Sequence, residues 1–310
     1  MWEDSLIMDL VILAAGMGSR FGGLKQIEPI DEYGNFIIDY SIYDAKKAGF
    51  DRVIFIIKKE NFDIFKNTIG KRVESVIKTE YAFQTLDLIP EGIKLPSDRI
   101  KPLGTAQALL ACKDIVGDKF IMINSDDFYG YDAFKVAAEY LRSLKPGSRS
   151  VYGNIGYKVK NTITENGSVK RGVLNFDKNN KLVSLVESKI EKVNGEIVAA
   201  PLDSEDDKKI ISPETLVSMN MFAFTSDVMD YLERDYKPFM EANLNNLDKC
   251  EYLVPTVISE LIERGDVTCD ILSTSAVWYG ITYKEDKEAV VASLKALVEK
   301  GEYPKGIWGK

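Results

Sequence analysis

The chain has 310 residues, of which 45% are hydrophobic, a formal net charge of −8 and a pI near 5.0. It is long enough for one large or two modest domains with an ordinary buried core. The acidic balance, without any block rich in lysine and arginine, argues against a nucleic-acid partner. The sequence contains no histidine, which excludes Ser-His-Asp and Cys-His catalysis and every metal site that uses histidine. Carboxylates, lysine, arginine and oxygen-bound cations remain, a set that suits phosphoryl-group chemistry.

The termini and the cysteines bear on the cellular compartment. The first eight residues, MWEDSLIM, contain acidic residues and no basic stretch, and no apolar run approaches the ~20 residues that span a bilayer. Cys112, Cys250 and Cys269 are odd in number and widely spaced, which predicts neither a disulfide framework nor a zinc site. We therefore expect a cytoplasmic protein with no membrane partner.

The first half alternates strand-like and helix-like stretches. This alternation predicts an α/β fold with a doubly wound, mostly parallel (mixed) sheet. The expected strands are residues 10–15, 52–57 and 119–124, with an extended segment over 73–83. The expected helices are residues 37–48, 61–69, 104–111 and 132–144.

The second half begins with hairpin-like patterns. Strands are expected at 151–159, 169–176 and 182–187, joined by turns at Asn166-Gly167 and at 178–180. Residues 190–212 are charged and are expected to form an irregular surface excursion. A strand at 216–224, helices at 226–233, 238–247 and 255–264, a strand at 267–272 and a helix at 286–300 complete the prediction. We expect a single domain over 1–310, with one half at about 1–148 and a second at about 149–310.

The most informative segment is LVILAAGMGSRFGGLKQ, residues 10–26. A buried strand there ends at a glycine-rich loop that also contains Arg20 and Lys25. Free backbone N–H groups and two cations at the carboxyl end of a strand are suited to bind phosphate. The alternative is a glycine-rich turn whose two basic side chains are merely solvated.

Two common phosphate loops are excluded by single residues. A dinucleotide fingerprint beginning at Gly16 would need glycine where Phe21 stands. A Walker loop ending at Gly23 would need lysine where Leu24 stands. The loop therefore belongs to neither class.

The pattern L-A-A-G-x-G-x-R, followed by Lys-Gln and Pro29, resembles the signature of sugar nucleotidyltransferases, also called nucleoside-diphosphate-sugar pyrophosphorylases. Further motifs follow in the family's order over nearly the whole chain. They are Gln84, Gly104-Thr105-Ala106-Gln107-Ala108, Asn124-Ser125-Asp126-Asp127-Phe128-Tyr129-Gly130, Glu187, Met219-Asn220-Met221-Phe222 and Trp278. The resemblance implies a Rossmann-like nucleotidyltransferase fold, with a β-hairpin and helical elaboration that binds the sugar.

The resemblance also implies roles for individual residues. Arg20, Lys25 and Asp126 would be catalytic, and Asp126 would hold Mg²⁺, a cation that takes one or two carboxylates plus phosphate oxygens. The implied nucleotide-binding residues are Leu13, Ala14, Ala15, Gly16, Gly18, Ser19, Gln84, Gly104 and Thr105. The implied sugar-binding residues are Asp127, Glu187, Lys189 and Asn220. Taken without the family, Asp126, Glu187 and Asn220 could instead be caps or turns, and Gln84 could be a surface residue.

The sequence departs from the family pattern at two places. The lysine that usually follows the sugar-binding glutamate is Ser188 here, which leaves Lys189 and Lys192 as alternatives for the sugar phosphate. The family's Trp-x-Asp motif, whose aspartate is a second metal ligand, is Trp278-Tyr279-Gly280 here, with Thr282 and Asp286 as nearby substitutes. With glycine at 280, we expect Gly280→Asp to be tolerated or to tighten metal binding.

These observations predict an enzyme that makes an NDP-sugar and pyrophosphate from an NTP and a sugar 1-phosphate with Mg²⁺. UTP or dTTP is favoured, because Gln84 matches the residue that contacts uracil or thymine in the family. One alternative keeps the fold and changes the acceptor, for example to phosphocholine with CTP or to an amino-sugar phosphate. Another is a non-catalytic sugar-nucleotide sensor or assembly subunit. The sugar and the oligomeric state, a homo-oligomer included, stay open.

Overall fold

The computed structural model describes residues 7–16, 29–85, 88–99, 102–164, 166–204, 206–281 and 286–309. Within these residues the chain forms an eleven-stranded mixed sheet, helices on both of its faces, and a separate two-stranded ladder. None of the described helices has the length and apolar character needed to cross a bilayer.

The first half supplies four parallel strands. They are β1 (Met8–Leu13), β2 (Arg52–Ile57), β3 (Lys78–Phe83) and β4 (Lys119–Asn124), and they lie in the order β4-β1-β2-β3. The helices of this half are α1 (Ile37–Ala48), α2 (Phe62–Phe65), α3 (Lys71–Glu74) and α4 (Thr105–Leu110). The doubly wound parallel sheet predicted from the sequence is confirmed.

The second half extends the sheet with antiparallel strands. Its elements are β5 (Asp127–Phe128), α5 (Tyr131–Ser143), β6 (Val151–Lys158), β7 (Val169–Phe176), β8 (Leu182–Val193), β9 (Glu196–Pro201), β10 (Lys209–Ile211), β11 (Leu216–Thr225), α6 (Val228–Ala242), α7 (Val254–Glu263), β12 (Thr268–Thr274), β13 (Tyr279–Gly280) and α8 (Asp286–Glu299). Strand β11 joins the halves, because it pairs antiparallel with β4 and also with β6 and β7. The full order is β10-β9-β8-β7-β11-β4-β1-β2-β3, with β6 between β11 and β12.

The core occupies both faces of the sheet. Side chains of a strand alternate between faces, and on β1 Leu10 and Ile12 pack with α1 and α5, whereas Val11 packs with α4, α6 and α7. All three side chains are fully buried. Burial on both faces explains why β1 is a continuous apolar run.

The prediction that residues 190–212 form an irregular surface excursion is wrong. Strand β8 continues to Val193, and β9 and β10 add two antiparallel strands at the edge of the sheet. Val193 pairs with Glu196 around a two-residue turn in which Asn194 and Gly195 both have positive φ. Asn-Gly is the characteristic sequence of such a turn, and the charged residues on its outer face concealed the strand pattern.

Three further predictions are corrected by packing. Asn166-Gly167 does not join a hairpin, because β6 pairs with β11 and β12 and not with β7. The helix expected at 61–69 is longer than predicted: it begins with a 3₁₀ turn at Lys59–Asn61, continues through a π segment at Lys66–Gly70 and ends with α3. Residues 73 and 74 are therefore helical, although they were expected to belong to an extended segment. Residues 228–242 form one helix with Pro238 inside it, since Leu232, Tyr236 and Met240 form one buried stripe.

The topology locates the candidate site. The chain leaves β1 toward β2 and β3 on one side and returns to β4 on the other side of β1. Ligands of open α/β sheets bind where the strand order reverses in this way, beyond the carboxyl ends of the strands. The segments after β1 and β4 therefore form the candidate site.

Candidate active site

The segments that follow β1 and β4 leave the sheet side by side. Leu13 pairs with Asn124, and the N–H of Ser125 donates to the carbonyl of Leu13 at 3.2 Å. Ala14 and Ala15 are buried, whereas Gly16 is exposed, and a Cβ at Gly16 would meet no atom of the described residues within 4 Å. The structure thus brings Leu13–Gly16 next to the aspartate pair.

Four residues of the predicted loop, Gly18, Ser19, Arg20 and Lys25, lie outside the described residues. Their roles in holding phosphate stay predictions.

The two aspartates after β4 have different environments. Asp126 is exposed, whereas Asp127 accepts hydrogen bonds on Oδ2 from Asn124 Nδ2 at 2.9 Å and from the Tyr129 hydroxyl at 3.3 Å. Burial, together with the nearby charge of Asp126, raises the pKa of Asp127 to about 7. Asp126 is therefore the carboxylate of this pair that can meet a solvated cation, and Asp127 is bound into the protein.

A bulge in β11 brings Asn220 into the same network. The pairing of β11 with β6 shifts between Ser218 and Phe222, and Asn220 within the bulge has φ = 59°. Asparagine tolerates this left-handed conformation better than most residues, and bulges commonly redirect a side chain beside an active site. Asn220 Nδ2 donates to Asn124 Oδ1 at 2.9 Å.

The network leaves one acceptor unused. Because Asn124 gives its amide nitrogen to the Asp127 carboxylate, its oxygen faces Asn220, and the oxygen of Asn220 points elsewhere. Asn220 Oδ1 is buried and has no hydrogen-bond partner within the described part of the chain. A buried acceptor without a partner is costly, and a ligand hydroxyl would satisfy it.

Arg171 is a buried cation that the sequence prediction missed. It is 7% exposed, its guanidinium lies 4.5 Å from the centre of the Trp278 ring, and it donates to the carbonyls of Lys170 at 2.8 Å and Thr162 at 2.5 Å. Burial lowers the pKa of Arg171 to about 10. The sequence offered one signal for this residue: Arg171 alternates with Val169 and Val173 on the core-facing side of the strand, where a charged residue is unusual.

The positive charge of Arg171 acts on the two carboxylates assigned to the sugar side. Its charge lowers the pKa of Asp127 and that of Glu187, but Arg171 pairs with the buried Ser188 across β7 and β8, so its side chain lies on the face opposite to Glu187. Partial desolvation by the surrounding protein nevertheless raises the pKa of Glu187, although this side chain is exposed to solvent. Asp127 and Asn220 are thus brought together around Asn124, whereas Glu187 lies on the other face of the β7–β8 pair from Arg171.

The two candidate lysines differ in the face of β8 on which they lie. Glu187 and Lys189 are two residues apart and share a face, whereas Ser188 is turned into the protein. Lys192 is on the opposite face and lines a shallow groove with Ile197 and Ile211. Lys189, which forms an ion pair with Glu191 at 3.7 Å, is the lysine on the same side as Glu187.

A second group, at the start of α4, contains Gln84 and Gly104. Gln84 Nε2 donates to Gln107 Oε1 at 2.5 Å and lies 3.5 Å from the Gly104 carbonyl oxygen. Gly104 has φ = +104°, and a Cβ there would lie 2.3 Å from the Tyr252 carbonyl oxygen, so this backbone requires glycine. The Thr105 hydroxyl accepts a hydrogen bond from the N–H of Val254 at 3.0 Å, which ties α4 to α7.

The geometry around Gly280 argues against the expectation that Gly280→Asp is tolerated. Gly280 pairs with Asp127 in the short β5–β13 ladder, beside the site. A Cβ at Gly280 would lie 2.1 Å from Cη2 of the Trp278 ring, which is buried and stacked against Arg171. The indole therefore occupies the volume that a side chain at position 280 would need.

The donor set fits a magnesium ion bound mainly through phosphate and water. No three carboxylates or thiols converge as a metal site within the described residues. Asp286 is buried and accepts hydrogen bonds on Oδ1 from Thr164 at 2.6 Å and Asn166 at 2.9 Å, contacts that tie α8 to the β6–β7 connection. One exposed carboxylate, Asp126, suits Mg²⁺, which keeps several waters and takes few protein ligands.

Solved structures with the same fold cover almost the whole chain. An inositol-1-phosphate CTP transferase from T. maritima is 14% identical with a TM-score of 0.58, over 96% of this chain and 98% of that one. A putative glucose-1-phosphate thymidylyltransferase from Bacillus anthracis, in complex with a sucrose, is 18% identical with a TM-score of 0.60, over 92% and 94%. A UDP-glucose pyrophosphorylase complexed with UDP-glucose is 14% identical with a TM-score of 0.59, over 94% and 99%. At these identities the likeness shows the fold.

No curated protein matches the sequence. The family model described as nucleotidyl transferase matches residues 10–281, from the first strand of the sheet to the glycine beside Trp278. This range contains the segments after β1 and β4, the Gln84–Gly104 group and the Asn220 network. The chain therefore belongs to the nucleotidyl transferase family.

Proposed function

We propose that the protein transfers a nucleotidyl group from UTP or dTTP to a sugar 1-phosphate, giving an NDP-sugar and pyrophosphate. The observation that carries this proposal is the Asn220–Asn124–Asp127 network beside the exposed Asp126. It combines hydroxyl-binding groups with a cation-binding carboxylate at the edge of the sheet where α/β proteins hold their ligands.

The transfer requires positioning and charge neutralisation. An oxygen of the sugar phosphate attacks the α-phosphorus of the NTP, one P–O bond forms, and the bond to the departing pyrophosphate breaks. The attacking oxygen is already an anion, so no general base and no covalent enzyme intermediate is needed, which agrees with the absence of histidine. Arg20 and Lys25 are proposed to stabilise the charge on the triphosphate.

Asp126 is the residue proposed to hold Mg²⁺. When bound there, Mg²⁺ would neutralise charge on the phosphate oxygens. Asp127 takes a supporting role, because its hydrogen bonds keep Asn124 in the orientation that holds Asn220.

The sugar side offers acceptors and one cation. Asn220 Oδ1 and the Glu187 carboxylate are proposed to accept hydrogen bonds from ring hydroxyls. Lys189, on the same face of β8 as Glu187, is proposed to hold the sugar phosphate in place of Lys192. The position of Ser188, turned into the protein, explains how the strand can lack a lysine directly after the glutamate.

The test is a matrix of nucleotides against acceptors. UTP, dTTP, CTP, ATP and GTP are each combined with a panel of sugar 1-phosphates, an amino-sugar phosphate, inositol 1-phosphate and phosphocholine, and pyrophosphate release is measured with Mg²⁺. We expect release with a sugar 1-phosphate and UTP or dTTP. Fastest turnover with inositol 1-phosphate or phosphocholine would show that the acceptor is not a sugar 1-phosphate. Absence of pyrophosphate release with every combination would favour a non-catalytic sensor.

A further inference from the structure

A buried glutamine behind Gln84 fixes the orientation of the Gln84 amide. Gln107 lies on α4 and is fully buried. Its Nε2 donates to the carbonyl oxygen of Thr85 at 3.2 Å, and its Oε1 accepts from Gln84 Nε2 at 2.5 Å. Gln107 thus connects the backbone after β3 to the side chain proposed to contact the base.

Two backbone carbonyls determine which end of each amide faces where. A carbonyl oxygen only accepts hydrogen bonds, so the Gln107 nitrogen must face Thr85 and its oxygen must face Gln84. Gln84 then has to present its nitrogen, which also lies 3.5 Å from the Gly104 carbonyl oxygen. Turning the Gln84 amide by 180° would place its oxygen against two acceptors and lose the hydrogen bond to Gln107.

This orientation leaves Gln84 Oε1 as the atom that can meet a base. Uracil and thymine carry a donor, N3–H, on the edge that pairs with such an acceptor. Cytosine carries an unprotonated acceptor at N3, which would face Oε1 with two lone pairs opposed. A glutamine that could rotate freely would serve either base, because its amide has a donor end and an acceptor end.

We propose that Gln107 is a positioning residue that makes the nucleotide site selective for uracil or thymine over cytosine. The inference rests on the proposed function, since it takes Gln84 as the residue that contacts the base. It goes beyond that function by assigning the discrimination to a buried side chain that does not touch the nucleotide.

The experiment compares UTP with CTP in the wild type and three variants. Gln107→Met keeps the volume and removes both hydrogen bonds, so Gln84 can rotate. Gln107→Glu keeps an acceptor facing Gln84 whether or not the carboxyl is protonated, so the orientation of Gln84 is retained. Leu109→Met, a buried apolar exchange on the same helix, controls for repacking. The readouts are calorimetric Kd values for both nucleotides without acceptor and the ratio of kcat/KM values with it.

We expect the wild type to favour UTP by about 100-fold or more, a ratio typical of a site whose polar groups reject the wrong partner. Gln107→Met should lower this ratio about tenfold, whereas Gln107→Glu and Leu109→Met should keep it. Thermal melting establishes whether each variant is folded. If Gln107→Met is not folded, the UTP-to-CTP ratios of the wild type and of Gln107→Glu test the inference.

The inference would be overturned if the wild type bound CTP as tightly as UTP or more tightly. It would also be overturned if folded Gln107→Met kept the wild-type UTP-to-CTP ratio, or if Leu109→Met lowered that ratio as much as Gln107→Met does. Loss of the ratio in Gln107→Glu would also overturn it. Selective binding of UTP without turnover in any nucleotide and acceptor combination would instead refute the proposed function and leave the role of Gln107 standing.

Discussion

At the scale of single residues, Asp126 and Asp127 show how neighbours in sequence can take different tasks. Asp126 is exposed, and Asp127 is bound by Asn124 and Tyr129. The burial of Asp127 follows from the β5–β13 ladder and from Tyr129, which contacts the backbone of Met219, 90 positions away. Long-range contacts of this kind cannot be inferred from the order of the two aspartates.

Asp126→Asn should lower turnover by about 10³-fold or more, because it removes the charge proposed to hold the cation near the phosphates. Asp118→Asn is the matched control, since Asp118 is also exposed but lies at the amino end of the same strand. Steady-state rates and Mg²⁺ titrations, with and without NTP, measure both effects. Tight Mg²⁺ binding to the wild type without nucleotide would reveal a second carboxylate ligand and contradict a site with one.

Gly280→Asp should destabilise the protein by about 1–3 kcal/mol, the usual cost of overpacking. The added side chain would displace the Trp278 indole and disturb its stacking on Arg171. Urea denaturation of Gly280→Ala and Gly280→Asp measures the cost of the Cβ and of the carboxylate separately. Wild-type stability in both variants would show that Trp278 moves aside freely.

At the scale of elements, the bulge in β11 combines backbone conformation and chemistry at Asn220. Asn220→Gly removes the side chain and suits φ = 59°, whereas Asn220→Ala removes it and adds strain of about 1–2 kcal/mol. We expect both variants to lose affinity for the sugar phosphate, seen as a raised KM, and only Asn220→Ala to melt markedly earlier. Equal melting temperatures would mean that the left-handed conformation is not retained in the variants.

Helix α1 is joined to the C-terminal segment through a buried carboxyl group. Tyr303 donates to Asp44 Oδ2 at 2.6 Å, and Asp44 Oδ1 has no hydrogen-bond partner within the described residues. Burial, together with the charge of Glu302, raises the pKa of Asp44 to about 7, against the lowering effects of the Tyr303 hydrogen bond and the Lys47 charge. The folded state therefore favours the protonated carboxyl.

The pH dependence follows from this raised pKa. The contribution of Asp44 to stability is fully present below the unfolded pKa near 4 and is lost as pH rises through about 7, a change on the order of 4 kcal/mol. Asp44→Asn should thus be stabilising relative to the wild type at pH 8 and not at pH 4. Urea denaturation of both proteins at the two pH values tests this, and a pH-independent difference would contradict it.

The elements that could be predicted from sequence are those with one dominant signal. Helix α1 and strands β2 and β4 have the predicted bounds, because each is a clear amphipathic or apolar pattern. The hairpin at Asn194-Gly195 was missed where charged residues obscured the alternation. The unbroken α6 was missed because its buried stripe outweighs the tendency of Pro238 to end a helix.

At the scale of the whole molecule, one sheet continues across the boundary expected near residue 148, since β11 pairs with β4 on one side and with β6 and β7 on the other. This continuity supports the single domain, which stays a prediction. Motif order predicted most of the residues at the site. Arg171 could not be found this way, and the motifs that contain Asn124 and Gln107 did not reveal the roles of these two residues, because those roles depend on contacts between strands and helices far apart in sequence.

The central claim is nucleotidyl transfer at the carboxyl edge of β1 and β4. ³¹P NMR of the wild-type protein with Mg²⁺, UTP or dTTP and the preferred sugar 1-phosphate tests it most directly, with Asp126→Asn and Asp118→Asn run in parallel. We expect an NDP-sugar and pyrophosphate to form in equal amounts, in wild type and Asp118→Asn but not in Asp126→Asn. Unchanged spectra with the wild type across the acceptor panel, or product formation that survives in Asp126→Asn, would contradict the account.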